Sequence, residues 1–166
     1  LGETDLQLIV EIRDFAHFSQ TTVRHNTLVC GRLFSAPGVE LGEVLPDVGA
    51  DALRIAVLFL GPPSRDLTLT LENIGAAYRF VQRLWRLTQT AGAEEASEND
   101  GLDHLETQMV QRMAQGKPHT ALAALFGYVN PQVSLSRAAL VKVAQLVRPF
   151  APFIACEMLE HLAVLP

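Results

Sequence analysis

Proline and glycine divide the chain after residue 49 into apolar segments of helical length, and this punctuation most constrains the fold. The first segment, 52–60, is apolar nearly all round and ends at the Gly-Pro-Pro run 61–63. A helix stops there because proline lacks a backbone donor and clashes with the preceding turn. We predict a buried helix over 52–60 with Asp51 as its N-cap.

Four further helical segments follow at short intervals. Thr70 is a suitable N-cap for the next helix, and Pro118 suits a first turn. Pro149 and Pro152 divide the last long segment into two pieces. The predicted segments are 71–90, 102–115, 118–130 and one from Ser134 or Ser136 to about 162. Their lengths and short links predict an antiparallel four/five-helix bundle over 49–166.

The first 48 residues have a different pattern. Apolar and polar residues alternate from Leu6 to Ile12, which is typical of a half-buried strand, and we predict β structure over 1–33. Residues 34–48 contain two prolines and two glycines and are predicted to form a connection with little regular structure. The predicted fold is therefore mainly α, with a β-prone N-terminal segment and connector (1–48) before the bundle.

The charge of the chain is unevenly distributed. Its 166 residues include thirteen Lys and Arg against eighteen Asp and Glu, a formal net charge of −5. Such a balance argues against a protein coated with positive charge for nucleic acid. Six of the acids lie between residues 94 and 106 with no base among them, so the acidity is local. Eleven of the thirteen bases are arginines, and only Lys117 and Lys142 are lysines.

Residue types that carry catalysis or bind metals are present but form no recognisable pattern. The five histidines are scattered, and Cys30 and Cys156 have no metal-ligand spacing. His161 follows Glu157 by four residues, which we interpret as an exposed ion pair on the terminal helix. We predict no catalytic residue, no metal site, no cofactor and no membrane span. The far-separated cysteines favour a reducing, intracellular compartment, cytoplasmic or mitochondrial.

The predicted helix 71–90 carries one charge pattern that points to a ligand. Arg79, Arg83 and Arg86 are spaced i, i+4 and i+7 and therefore form one stripe. Guanidinium groups match phosphate oxygens in bidentate geometry. The stripe is interpreted in two ways, as the solvated face of an ordinary bundle helix or as a surface that meets phosphates.

Four sequence blocks resemble the leucyl-tRNA synthetase family of class I enzymes. The blocks are GADALR at 49–54, RF and RLWRL within 79–87, TALAAL with VN within 120–130, and PFAP, IA and EMLE within 149–160. In that family they belong to the C-terminal helical domain usually called the anticodon-binding domain. Their order and spacing agree over about residues 49–162.

The resemblance implies a partner and a set of contact residues. The implied partner is tRNA or another structured RNA, approached along its backbone phosphates and not read base by base. Arg79, Arg83 and Arg86 are then the phosphate-facing candidates, with Arg112 and Lys117 as secondary ones. Three or four such contacts imply a salt-sensitive and modest affinity.

Departures from the family are as informative as the matches. Where the family has its lysine-rich KMSKS loop, this chain has Gly-Arg-Leu-Phe-Ser at 31–35, and no lysine precedes Lys117. Arg32 supplies a charge there without the rest of the motif, and Phe153 replaces a family histidine. The family's HIGH motif and nucleotide-binding strands have no counterpart. We therefore expect a catalytically incomplete module that is no enzyme by itself, and a leucine–tRNA ligase only as part of a longer chain.

Two alternatives to an RNA-binding module stay open. One is a structural protein–protein subunit of a larger, ribonucleoprotein-type assembly, in which the β-prone residues 1–33 add strands to a partner sheet. The other is a fragment of a complete leucyl-tRNA synthetase.

Overall fold

The computed structural model describes residues 32–91 and 101–162, and the strands predicted before residue 32 lie outside them. The described residues form two short strands and six helices. The strands are β1 (Leu33–Ser35) and β2 (Leu67–Leu69). The helices are α1 (Leu41–Phe59), α2 (Leu71–Gln89), α3 (Leu102–Ala114), α4 (Pro118–Val129), α5 (Arg137–Val147) and α6 (Pro152–His161). The prediction of a mainly α bundle preceded by a small β segment is confirmed.

The two strands pair in parallel, with Leu33 opposite Leu67 and Ser35 opposite Leu69. Parallel strands require a long crossover connection, and α1 supplies it. The result is a β-α-β unit whose second strand is anchored by the fully buried side chain of Leu69. β2 is absent from the sequence prediction because three residues are too few to show an alternating pattern.

Helix α1 begins earlier than the sequence indicates, so the prediction of little regular structure over 34–48 is wrong for its second half. α1 starts at Leu41 and changes direction at Gly49, whose φ of 79° suits glycine alone. Apolar side chains at helical spacing pack this first part of α1 against the core: Leu41, Val44 and Val48. That spacing is a helix signal, but the density of proline and glycine around it outweighs it in the sequence.

Asp51 does not cap its own helix, and this prediction is also wrong. Its side chain is only 7% exposed, and its Oδ2 accepts a hydrogen bond from the backbone N–H of Ile154, with N and O 2.7 Å apart. Asp51 therefore caps the N-terminus of α6 from a neighbouring helix. Asp51 lies just after the kink at Gly49, in the first turn of the second part of α1, where its carboxylate reaches the start of α6.

The other helix boundaries agree with the sequence. Thr70 and Asn73 form a reciprocal capping box at the start of α2, with both N–O distances at 3.2 Å. Pro118 occupies the first turn of α4. The Ser136 hydroxyl accepts a hydrogen bond from the N–H of Ala139 and caps α5.

One hydrophobic core joins all six helices. Each helix contributes at least one side chain that is almost fully buried: Ile55, Leu84, Leu105, Leu122, Leu140 and Met158. The ring of Phe126 stacks on Phe80 at 3.8 Å and on Phe59 at 4.8 Å between centroids, which ties α4 to α2 and α1. Val39 belongs to the same core. The division into domains at residues 48 and 49 stays a prediction.

Candidate nucleic-acid interface

Helix α2 presents its arginines on a stripe that lies about 100° around the helix from its buried stripe. Phe80, Leu84 and Leu87 are at most 4% exposed and fix one stripe of the helix in the core. Arg79 and Arg86 lie on the exposed part of α2. They are seven residues apart, or two turns and about 10.5 Å along the axis, and so point in nearly the same direction.

The guanidinium groups of Arg79 and Arg86 are available to a ligand. Among the described residues, neither group has a hydrogen-bond or ion-pair partner. The Arg79 side chain lies beside Gly75, one turn earlier, where an added Cβ would come 3.4 Å from Nη1. An anion that lies along this part of α2 could contact both guanidinium groups.

Arg83 lies between them in sequence but is engaged within the protein. Its Nε donates to the carbonyl oxygen of Val129 at 3.3 Å, and its Nη2 donates to the carbonyl oxygen of Gln132. Val129 is the last residue of α4, where carbonyl groups lack helical partners and carry partial negative charge. Arg83 therefore fixes the C-terminus of α4 to α2.

The two secondary candidates, Arg112 and Lys117, also differ in how far they are engaged within the protein. Arg112 of α3 donates from Nη1 to the carbonyl oxygen of Thr120 in α4 at 2.6 Å and is half-buried. Lys117 is exposed, and its Nζ donates to the side-chain oxygen of Gln115 at 3.0 Å. Direct RNA contact by any of the five residues stays a prediction.

Two other bases are paired with carboxylates. Arg32, at the position of the family's phosphate-binding loop, has its guanidinium 3.8 Å from Asp66. Nζ of Lys142 lies 2.6 Å from Asp103 and 3.5 Å from Glu106. The hydrogen bond that Lys142 donates to Asp103, with a smaller effect of Glu106, raises the pKa of Lys142, so its charge is engaged between α5 and α3.

A shallow groove of about 420 Å³ runs along the surface between α2 and α6. It is lined by Val81, Gln82, Trp85, Arg86 and Ile154. The groove thus combines apolar surface, one amide and one of the two unpaired guanidinium groups.

The tryptophan that lines this groove is in contact with a histidine of α6. The ring of His161 meets the indole of Trp85 edge-on, at 5.3 Å between centroids and an interplanar angle of 67°. The ion pair predicted between Glu157 and His161 is not formed, since the structure shows no such contact between these two described residues. Phe153, next to Ile154, is 66% exposed.

No metal centre or membrane helix is found in the described ranges. Across residues 32–91 and 101–162, no group of three His, Cys, Asp or Glu is placed to hold a metal ion. No helix in these ranges is long and apolar enough to cross a membrane.

Several leucine–tRNA ligases are similar to this chain in sequence. The leucine–tRNA ligase of Mycolicibacterium gilvum is 32% identical over 133 residues, which are 72% of this chain and 14% of the ligase. That of Nocardioides sp. is 32% identical over 145 residues, 75% of this chain and 17% of the ligase. That of Protochlamydia amoebophila is 25% identical over 161 residues, 92% of this chain and 19% of the ligase. The chain is a homologue of the leucine–tRNA ligases.

A solved protein shares the fold of this chain. A LeuRS of Agrobacterium radiobacter, solved in a ternary complex with tRNA and LeuAMS, superposes with a TM-score of 0.66 at 18% identity. The match covers 80% of this chain and 22% of that protein. No protein-family profile matches the chain. This leucyl-tRNA-synthetase-like module thus spans only 14–19% of the length of the curated ligases above.

Two of the four blocks that carry the resemblance are hydrogen-bonded to each other. Arg54, in the GADALR block, donates from Nε to the carbonyl oxygen of Phe150 at 3.0 Å and from Nη2 to that of Pro149 at 3.5 Å. Asp51, three residues earlier, binds the N–H of Ile154. From the sequence, neither side chain could be assigned to binding the connection between α5 and α6. The available signal was two charged residues at the start of an otherwise apolar helix.

Proposed function

We propose that this leucyl-tRNA-synthetase-like module binds tRNA or another structured RNA through its backbone phosphates, with Arg79 and Arg86 of α2 as the primary contacts. The observation that carries the proposal is a pair of exposed guanidinium groups, two turns apart on one helix, that have no partner among residues 32–91 and 101–162. Lys117 is a secondary contact. Arg83 and Arg112 support the surface by holding α2, α3 and α4 together.

Support also comes from the relatives. The solved LeuRS of the same fold is a complex that contains tRNA. The proposal applies equally to the chain alone and to a complete leucine–tRNA ligase that contains it, because it depends only on surface residues of the bundle. In a complete ligase, the bundle would position the RNA while another part of the protein carries out the reaction.

The test measures binding of the full chain to transfer RNA at two or more salt concentrations. Each phosphate contact contributes about 0.7–0.9 to the slope of log K against log salt concentration. The double variant Arg79→Ala/Arg86→Ala should therefore bind more weakly at low salt, with a slope smaller by about 1.5. Circular dichroism should show an unchanged fold, since both side chains are exposed.

A matched control removes the same charge elsewhere. Arg65 and Arg148 are also exposed, and their guanidinium groups have no partner within the described part of the chain. The double variant Arg65→Ala/Arg148→Ala should keep most of the affinity and the slope. If wild type fails to bind at low salt, or both double variants lose affinity equally, the assignment to α2 is wrong.

A further inference from the structure

The groove between α2 and α6 contains a set of groups that complements one nucleotide. Trp85 offers an aromatic surface, Gln82 offers an amide that both donates and accepts hydrogen bonds, and Arg86 offers an unpaired positive charge. A nucleotide presents an aromatic base with polar edges and a negatively charged phosphate. An apolar peptide side chain would use the tryptophan but leave the guanidinium group without a partner.

The groove is continuous with the proposed phosphate-binding surface. Arg86 belongs to both, because it lies two turns from Arg79 on the exposed face of α2 and also lines the groove. A backbone that follows α2 therefore passes the groove entrance. Glu157 and Glu160 are exposed on α6, so like-charge repulsion disfavours a phosphate path along that helix.

The aromatic ring of the groove is held in a way that suits stacking. The edge-on contact with His161 restricts the indole of Trp85. Base–aromatic stacking needs an open platform, and the groove is shallow.

We infer that this groove receives an unpaired base of the bound RNA, stacked against Trp85, while Arg86 contacts the adjoining phosphate. This inference rests on the proposed function, since it places one nucleotide of the same RNA. Paired bases are inaccessible to such stacking, so the groove gives the module a preference for RNA with unpaired nucleotides over a continuous duplex.

The chain contains one tryptophan, so Trp85 itself reports on the groove. We would titrate the full chain with an RNA hairpin that has an unpaired adenosine loop and with a blunt-ended RNA duplex of the same number of phosphates. Fluorescence of Trp85 reports stacking, and anisotropy of labelled RNA reports binding. The hairpin should quench Trp85 and bind about tenfold more tightly than the duplex, which should bind without quenching.

Variants separate the base contact from the phosphate contacts. Trp85→Leu, followed by anisotropy, should remove most of the hairpin's advantage and leave duplex binding unchanged, and Gln82→Ala, at an exposed residue of the groove, should reduce that advantage. Val133→Ala is the control, because Val133 is 93% exposed and does not line the groove. It should change neither affinity.

The outcomes distinguish this inference from the function on which it rests. If both RNAs bind with equal affinity and Trp85 fluorescence does not change, the base site is wrong while phosphate binding stands. If neither RNA binds at low salt, the proposed function fails and the base site fails with it.

Discussion

Replacing Asp51 by alanine tests the contact that joins α1 to α6. The variant loses a 2.7 Å hydrogen bond between a buried carboxylate and the N–H of Ile154. A bond of this kind, with one charged partner, contributes about 1.5–3 kcal/mol. The other oxygen, Oδ1, is buried without a hydrogen-bond partner, and its removal recovers about 1 kcal/mol of desolvation. We expect Asp51→Ala to lower the free energy of unfolding by about 0.5–2 kcal/mol, or the Tm by roughly 2–6 °C.

Urea and thermal denaturation, followed by far-UV circular dichroism, would measure this change. Asp47→Ala is the matched control, because Asp47 lies four residues earlier on α1 and is exposed. The control should change stability by less than about 0.5 kcal/mol. Arg54→Ala should combine with Asp51→Ala non-additively, since both side chains hold the same link between α5 and α6. Equal stability of the Asp51 and Asp47 variants would refute the capping role.

Two further predictions concern charged and titratable side chains. Arg83→Ala should lower the free energy of unfolding by about 1 kcal/mol, because two carbonyls at the end of α4 lose their donor. Arg83→Lys should restore only part of this stability, since an ammonium group cannot replace the planar fork. A lysine variant as stable as wild type in urea would contradict the role given to Arg83. Burial, with a smaller effect of Lys117, lowers the pKa of His119 below 6.5. The stability that neutral His119 contributes is therefore fully present above its unfolded pKa and is lost as the pH falls through the folded value. His119→Gln should flatten the decline of stability between about pH 7 and pH 5. An unchanged slope of stability against pH would show that His119 does not cause this decline.

Helix ends could be predicted where one local contact determines them. Thr70 bonds to Asn73, and Ser136 bonds to Ala139, each across three residues. Pro118 acts through its own ring and needs no partner. Contacts of this range are visible in the sequence as spacing, so the boundaries of α2, α4 and α5 follow from it.

The start of α1 and the role of Asp51 could not be predicted in this way. Asp51 bonds to a residue 103 positions later, and no local pattern distinguishes that partner from the N–H groups of its own helix. The segment before Gly49 is helical because it buries Leu41 and Val44 against the core. Tertiary burial thus outweighs the low helix propensity of its proline and glycine residues.

In the candidate site, too, local spacing could be predicted and distant contacts could not. The spacing of Arg79, Arg83 and Arg86 places all three on one stripe, and the sequence gives no reason to treat them differently. The structure separates them, because the end of α4 lies within reach of Arg83, through Val129 and Gln132. Those partners are 46 and 49 residues away in sequence.

The excess of arginine over lysine has a structural cause that does not involve RNA. Three guanidinium groups bind main-chain carbonyls at or just beyond a helix C-terminus: Arg54 beyond α5, Arg83 at α4 and Arg137 beyond α6. A planar guanidinium can bridge two carbonyls, whereas an ammonium group is a strongly hydrated point charge.

Arginine content by itself therefore does not argue for RNA binding, because three of the eleven arginines bind these helix ends. The same fork geometry that matches a phosphate also matches two neighbouring carbonyls. Only a guanidinium group that the fold leaves without a partner bears on an external anion. On α2 this condition favours Arg79 and Arg86 over Arg83 as the primary candidates. The comparison with Arg65 and Arg148, which are equally exposed but lie elsewhere, then decides whether the position on α2 matters or merely the charge.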